Sequence, residues 1–169
     1  NKRFYYGFGN EFLFLLLFLF IFLQIAYGAF VSGTHSGLLF NTWPMYNDSI
    51  FPYIENKALS GFINFFETGE YIIFVHRTFA LLVLLLVIHI NYILYKKNRE
   101  IIKNYLLIIF NLSFVLQILL GVLMTFQNIP WHLALAHQGN AIILFLISLS
   151  MWVLSKKSLQ KTFSEETLS

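Results

Sequence analysis

A chain of 169 residues is long enough for one domain, but 58% hydrophobic content, 11% charged residues and a mean hydropathy of +0.70 lie far outside the soluble globular range. It reads as a membrane protein. The absence of cysteine excludes disulfides, thiolate metal sites and Cys-ligated iron–sulfur clusters, leaving histidine as the metal ligand, and the net charge of +3 is read as a mark of membrane orientation, not of a nucleic-acid partner.

Taken in order, Asn1-Lys2-Arg3 is followed by an apolar run over about 12–30 in which Gln24 is the strongly polar member. At 1.5 Å per residue this run crosses ~28 Å of hydrocarbon, so it is predicted as the first transmembrane helix. It is longer than a signal-peptide core, and Gln24-Ile25-Ala26-Tyr27-Gly28-Ala29 is a poor cleavage site. A long outer loop follows over about 34–68, broken by Gly37, Pro44, Pro52 and Gly61. Three further apolar spans follow, at about 74–95, 105–126 and 133–154, each long enough to cross. The predicted fold is all-α: a polytopic membrane protein whose residues 1–169 form one four-transmembrane-helix bundle.

Orientation follows from the bases. Lys2, Arg3, Lys96, Lys97, Arg99, Lys103, Lys156, Lys157 and Lys161 fall on one side, Lys57 and Arg77 on the other. Both termini are therefore expected on the cytoplasmic or matrix side. Asp48, Glu55, Glu67 and Glu70 then lie outside, and Trp43, Trp131 and Trp152 fall near interfaces.

The chain also repeats itself. Leu23-Gln24-Ile25-Ala26-Tyr27-Gly28 aligns with Leu116-Gln117-Ile118-Leu119-Leu120-Gly121 at Leu, Gln, Ile and Gly. Each run is followed by a helix with His near its start and Ala four residues later, His76 with Ala80 and His137 with Ala141. Two pseudo-symmetric helical hairpins would bring one histidine toward the other. His76 stands nineteen residues from Tyr95 and His137 seventeen from Leu154, which differs by only ~3 Å in depth. Imidazoles at matched depth suit axial ligation of one heme iron. A single histidine at a membrane helix end is ordinarily an interfacial hydrogen-bonding group; it is the recurrence that favours ligation.

Arg77 is costly near a membrane interior and either pairs with a heme propionate or snorkels to the headgroups. Gln24 and Gln117 are read as interhelical hydrogen-bond bridges, and Gly28 and Gly121 as close-approach positions. His35, His89 and His132 are read as local or solvated groups, since the repeat places Ser150 opposite His89. Glu67 and Glu70 are read as loop carboxylates facing water.

The stretch from Gly28 to Met45, with Asn41-Thr42-Trp43-Pro44 at its specific core, resembles the C-terminal half of heme A synthases. So do Asn64-Phe65-Phe66-Glu67 ahead of His76-Arg77, the Leu116-Gln117 to Leu120-Gly121 run, and Leu133-Ala134-Leu135-Ala136-His137-Gln138. The resemblance implies an oxidoreductase of cytochrome oxidase biogenesis that converts heme O to heme A, built from two related four-helix halves. It implies that the N-terminal half holds the substrate and the C-terminal half a heme b whose iron is ligated by His76 and His137, with Arg77 beside it. It also implies a partner, an N-terminal four-helix half or a homologous bundle, within the bilayer of a bacterial cytoplasmic or mitochondrial inner membrane.

The chain departs from the pattern where the family's N-terminal half carries an acid three residues before its His-Arg pair. Ile73 stands there, and Glu70, six residues ahead of His76, is off its helical face. The chain is accordingly expected to be a fragment or one part of a split protein, inactive by itself. The alternatives are a stand-alone electron-transfer b cytochrome and a heme-free bundle in which the two histidines only join helices.

Overall fold

A computed structural model describes residues 11–53, 64–97 and 104–166; Lys2, Arg3, Glu55, Lys57, Gly61, Arg99 and Lys103, which bear on orientation and loop character, lie outside them. The described residues are all-helical: α1 (Glu11–Gly33), a 3-10 turn (Ser36–Leu38), a single-turn α2 (Asn64–Glu67), α3 (Gly69–Lys97), α4 (Tyr105–Phe126) and α5 (Trp131–Glu166). Four of these, α1, α3, α4 and α5, are long and apolar enough to cross a membrane.

The helix ends have local causes. Asn104 starts α4 by accepting hydrogen bonds from the N–H groups of Leu106 (2.9 Å) and Leu107 (3.4 Å), a standard amide N-cap. At the other end Asn128 (φ 57°) and Ile129 (φ 55°) enter the left-handed region, and Ile129 N–H returns to the Met124 carbonyl at 2.8 Å. A β-branched residue rarely adopts that conformation, so packing must hold Ile129 there. Pro130, lacking an N–H, then opens α5, its carbonyl accepting from Leu133 and Ala134. Two helices run further than hydropathy suggests. The α3 helix begins at Gly69, so His76 lies about two turns inside it instead of at its mouth, and α5 continues to Glu166.

The half of the bundle that holds the start of α1 and the end of α5, called the inner half, is an apolar core. Phe14, Leu17 and Ile21 of α1, Val83, Val87, Ile90 and Leu94 of α3, Leu107, Phe110 and Phe114 of α4, and Leu144 and Met151 of α5 form one buried cluster. The spacing along α3 is four, three, four, the interval that keeps one stripe facing its neighbours. The same interval along α5 carries Leu144, Ser148, Met151 and Ser155, all buried. Its serines turn their hydroxyls onto the Phe145 (2.8 Å) and Trp152 (2.6 Å) carbonyls, so small residues allow close approach without an unpaired polar group.

Helix α1 packs on α3 and α5, and α4 packs on α5. Two contacts between hairpins occupy equivalent places in the repeat, six residues before Gln24 or Gln117 and fifteen after His76 or His137. Between α1 and α5, Phe18 stacks on Trp152 at 5.7 Å. Between α4 and α3, Asn91 Nδ2 donates to Asn111 Oδ1 (3.0 Å) and Asn111 Nδ2 donates back to Asn91 Oδ1 (2.9 Å). Trp152, expected at an interface, is thus half-buried, with the Lys156 ammonium 4.2 Å from its ring centre. Lys156 also reaches Glu11 at 3.7 Å, tying the inner ends of α1 and α5.

Because lipid offers no hydrophobic drive between helices, the reciprocal Asn91–Asn111 pair is a main tie of the α3–α4 seam. Asn91→Leu and Asn111→Leu should each lower stability by ~1 kcal/mol, with a coupling in the double variant of ~0.6–1.7 kcal/mol. Unfolding in mixed detergent micelles measures all four proteins.

Candidate functional site

The outer half of the bundle holds a polar layer. His76 enters from α3 and His137 from α5, seven and six residues past the starts of their helices. Both are half-buried.

Each imidazole is held by the helix that the repeat pairs with it. On α1, the Gln24 side-chain N–H group lies 3.3 Å from His76 Nδ1 and 3.5 Å from Nε2, and it donates to the His76 backbone carbonyl at 3.1 Å. On α4, Gln117 Nε2 lies 3.1 Å from His137 Nε2. An amide nitrogen is only a donor, so the ring nitrogen it meets must accept. One turn further along each helix stands a glycine against which the ring rests. A Cβ at Gly28 would meet His76 Cε1 at 3.3 Å, and one at Gly121 would meet His137 Cε1 at 3.2 Å. The Leu-Gln-Ile-x-x-Gly run is therefore a cradle for a histidine, and it occurs twice.

The cradles differ in what completes them. The buried Asn140, three residues after His137, donates to the Ser113 carbonyl and to Gln117 Oε1, both at 2.8 Å. Gln24 Oε1 is buried and, like His137 Nδ1, has no hydrogen-bond partner.

Arg77 turns to the outer loop. Its Nη1 donates to the Thr42 carbonyl (3.0 Å) and its Nη2 to the Phe40 carbonyl (3.2 Å), and its guanidinium carbon stands 4.9 Å from the centre of the Tyr46 ring. This is a loop clasp, which neither the propionate nor the headgroup expectation foresaw. Tyr46 packs edge-on against Phe40 at 5.2 Å and, with Ile73, forms a second small core under Val31 and Phe74. Burial pushes the Tyr46 phenol above its ordinary value of 10.0, the neighbouring guanidinium pulling the other way. A tight turn shapes this loop: Tyr46 and Ser49 exchange backbone hydrogen bonds around Asn47 (φ 57°), and Thr42 Oγ1 donates to the Met45 carbonyl while accepting from Asn47 N–H.

Glycines also seat the loop on the helices. A Cβ at Gly69 would come within 2.7 Å of Leu39 Cδ1, and one at Gly37 within 2.5 Å of Ile129 Cδ1. Ser36, completely buried beside Gly69, pairs with the Thr34 hydroxyl. The strained Ile129 thus caps the same loop that Arg77 clasps.

Of the residues singled out in the sequence, the fold joins His76 with Gln24 and Gly28, and His137 with Gln117 and Gly121. His35 is exposed at the start of the 3-10 turn, His132 is exposed edge-on to Trp131, His89 is exposed toward the inner end of α3, and Glu67 is exposed on α2. Asn140 escaped the sequence reading as a functional residue. Its signal was present: a lone amide three residues from His137 in an apolar span needs a partner.

Comparison with known proteins converges on one group. The sequence pattern of a family described as cytochrome oxidase assembly protein matches residues 9–149. Over 127 residues the chain is 39% identical to the heme A synthase of Wolbachia pipientis wMel, covering 75% of this chain and 34% of that protein. It is 37% identical over 123 residues to the heme A synthase of the Wolbachia of Brugia malayi, covering 73% and 35%. It is 33% identical over 135 residues to that of Bartonella bacilliformis, covering 79% and 37%. The chain spans about a third of the length of the curated relatives it matches. No solved structure matches it.

The glycines provide a local test. A Cβ placed on Gly139 would meet nothing within 4 Å, so Gly139→Ala should stabilise by ~0.5–1 kcal/mol through helix propensity. Gly121→Ala gains the same propensity but must push the His137 ring, so its net stability should be unchanged or lower. Paired unfolding curves in micelles separate the two.

Proposed function

This chain belongs to the cytochrome oxidase assembly protein family, and from that premise we propose that it is the C-terminal, cofactor-holding half of a heme A synthase. In this reading the hairpins α1–α3 and α4–α5 are related by a pseudo-two-fold axis, and His76 and His137 are the axial ligands of one heme b. The observation that carries the reading is the doubled cradle, in which a glutamine amide meets each imidazole and a glycine backs each ring. The donor set fits. Two imidazoles on different helices are of the right donor type, the glycines leave no Cβ against either ring, and each glutamine amide would give up the ring nitrogen it meets before that lone pair could take the iron. Two histidines suffice for a heme, which explains how a ligand site can exist although the described residues hold no group of three or more metal-ligating side chains.

A heme so held supplies one-electron transfer. The chain's own residues bind and shield it. His76 and His137 would hold the iron, Gln24 and Gln117 keep the rings between the helices until those nitrogens ligate, and Arg77, with N–H donors beyond the two spent on the loop, would be free to meet a propionate while it holds residues 40–46. Oxidation of heme O to heme A then takes place in a partner, an N-terminal four-helix half or a homologous bundle. Ile73, where that half carries an acid, supports assigning the oxidation elsewhere. Both termini lie on the cytoplasmic or matrix side, following the excess of lysine and arginine there.

Reduced-minus-oxidised spectra of the purified chain test this. The parent should show a low-spin b-type heme, and His76→Ala and His137→Ala should each lose it or convert it to a high-spin form. A heme-free parent, or spectra unmoved by both substitutions, removes the reading. Turnover of heme O that appears only when an N-terminal half is supplied distinguishes the synthase half from a stand-alone cytochrome.

A further inference from the structure

We infer that the outer loop after α1 is a membrane foot: Trp43, Met45, Ile50, Phe51 and Tyr53 lie in the headgroup–acyl boundary of the outer leaflet, and lipid is the partner of that surface. The inference needs only the four spans and stands apart from heme ligation.

Two helices set the height of the loop independently. About twenty helical residues cross ~30 Å of hydrocarbon. Counted outward from Glu11, whose carboxylate meets Lys156 at the inner end, they bring α1 to Val31. Counted back from Lys96, they bring α3 to His76. The small core of Phe40, Tyr46 and Ile73 packs against Val31 and Phe74, so both counts end where the loop meets the helices. Phe51 reaches the same place, its ring 6.0 Å from that of Phe74. Arg77 pins the loop there through the Phe40 and Thr42 carbonyls. A backbone so held cannot ride free in water above the headgroups.

What the loop exposes at that height is apolar. Ile50, Phe51 and Tyr53 are 73%, 69% and 82% exposed, and Trp43 and Met45 are exposed as well. From Thr34 to Tyr53, Asp48 is the one acidic or basic residue apart from His35. It stands with Asn47 in the tight turn between Tyr46 and Ser49, which gives the loop a polar tip beside its apolar flanks. Water rarely faces so many large apolar groups without a purpose. The membrane boundary suits them, because an aromatic ring there turns its apolar body to the acyl chains and its N–H or O–H to the headgroups. The segment brings no lysine or arginine, so apolar burial holds it and the charge of the lipid does not matter.

The chain holds no cysteine, so single cysteines can report without background changes. Ile50→Cys and Tyr53→Cys, each carrying a nitroxide label in phosphatidylcholine vesicles, probe the foot. Asp48→Cys marks the polar turn, and Leu119→Cys, on the exposed face of α4, marks the lipid. Oxygen concentrates in acyl chains and a nickel chelate in water, so the ratio of their relaxation effects reads depth. At 50 and 53 the ratio should stand several-fold above that at 48 and below that at 119, and added phosphatidylglycerol should leave it unchanged. Labels at 50 and 53 that meet nickel as freely as the label at 48 put the segment in water and overturn the inference. Labels shielded from both reagents mean that protein, such as a second copy of this chain, covers the segment, which overturns it equally. A depth that appears only with phosphatidylglycerol replaces apolar burial by charge attraction and also overturns it. Should either variant fail to insert, Met45→Cys is held to the same comparison.

Discussion

The contact between a glutamine amide and an imidazole, made twice within otherwise apolar helices, is what the rest of the outer half is built around. A side-chain amide in hydrocarbon has no water to fall back on, so each of these groups needs a partner on another helix. Gln24 finds His76, and Gln117 finds His137 and Asn140. These pairings decide which helices approach and at what height. The glycine one turn beyond each glutamine follows from them, because a ring drawn toward the amide comes to rest where a Cβ would stand.

Around that layer the bundle divides its work by depth. The inner half is a packed apolar cluster that gives the four spans a common axis, closed at the inner ends by Glu11 and Lys156. The outer half is closed by a loop. Arg77, next in sequence to His76, spends two of its N–H groups on loop carbonyls and sets its cationic face on Tyr46. Ile129 in its left-handed conformation presses on Gly37, and Leu39 on Gly69. A residue whose charge would be costly in lipid is thereby satisfied.

The two hairpins share a plan without sharing its details. Where α4 and α5 carry Ser113 and Asn140, α1 and α3 carry Phe20 and Phe79. The hairpin seams differ likewise, Phe18 and Trp152 stacking on one side, Asn91 and Asn111 exchanging hydrogen bonds on the other. Each exchange swaps an aromatic pair for an amide-centred one at the same register. Divergence of this kind leaves a shared backbone plan while making its two hairpins chemically different.

The four spans, the all-α class and the cradle residues were legible along the chain, because hydropathy and the recurrence of Gln, Gly and His are properties of composition and local order. That recurrence also marked His76 and His137 as a pair. Partner choice across tens of residues stayed open. That Arg77 clasps the loop, that Asn140 completes only one cradle, and that α3 begins at Gly69, leaving His76 two turns deep, depend on which groups packing brings together. A polar residue in a membrane helix announces that it needs a partner. Which of several candidates can reach it is settled in the folded bundle, since reach depends on helix rotation and separation, and neither is encoded in any one segment.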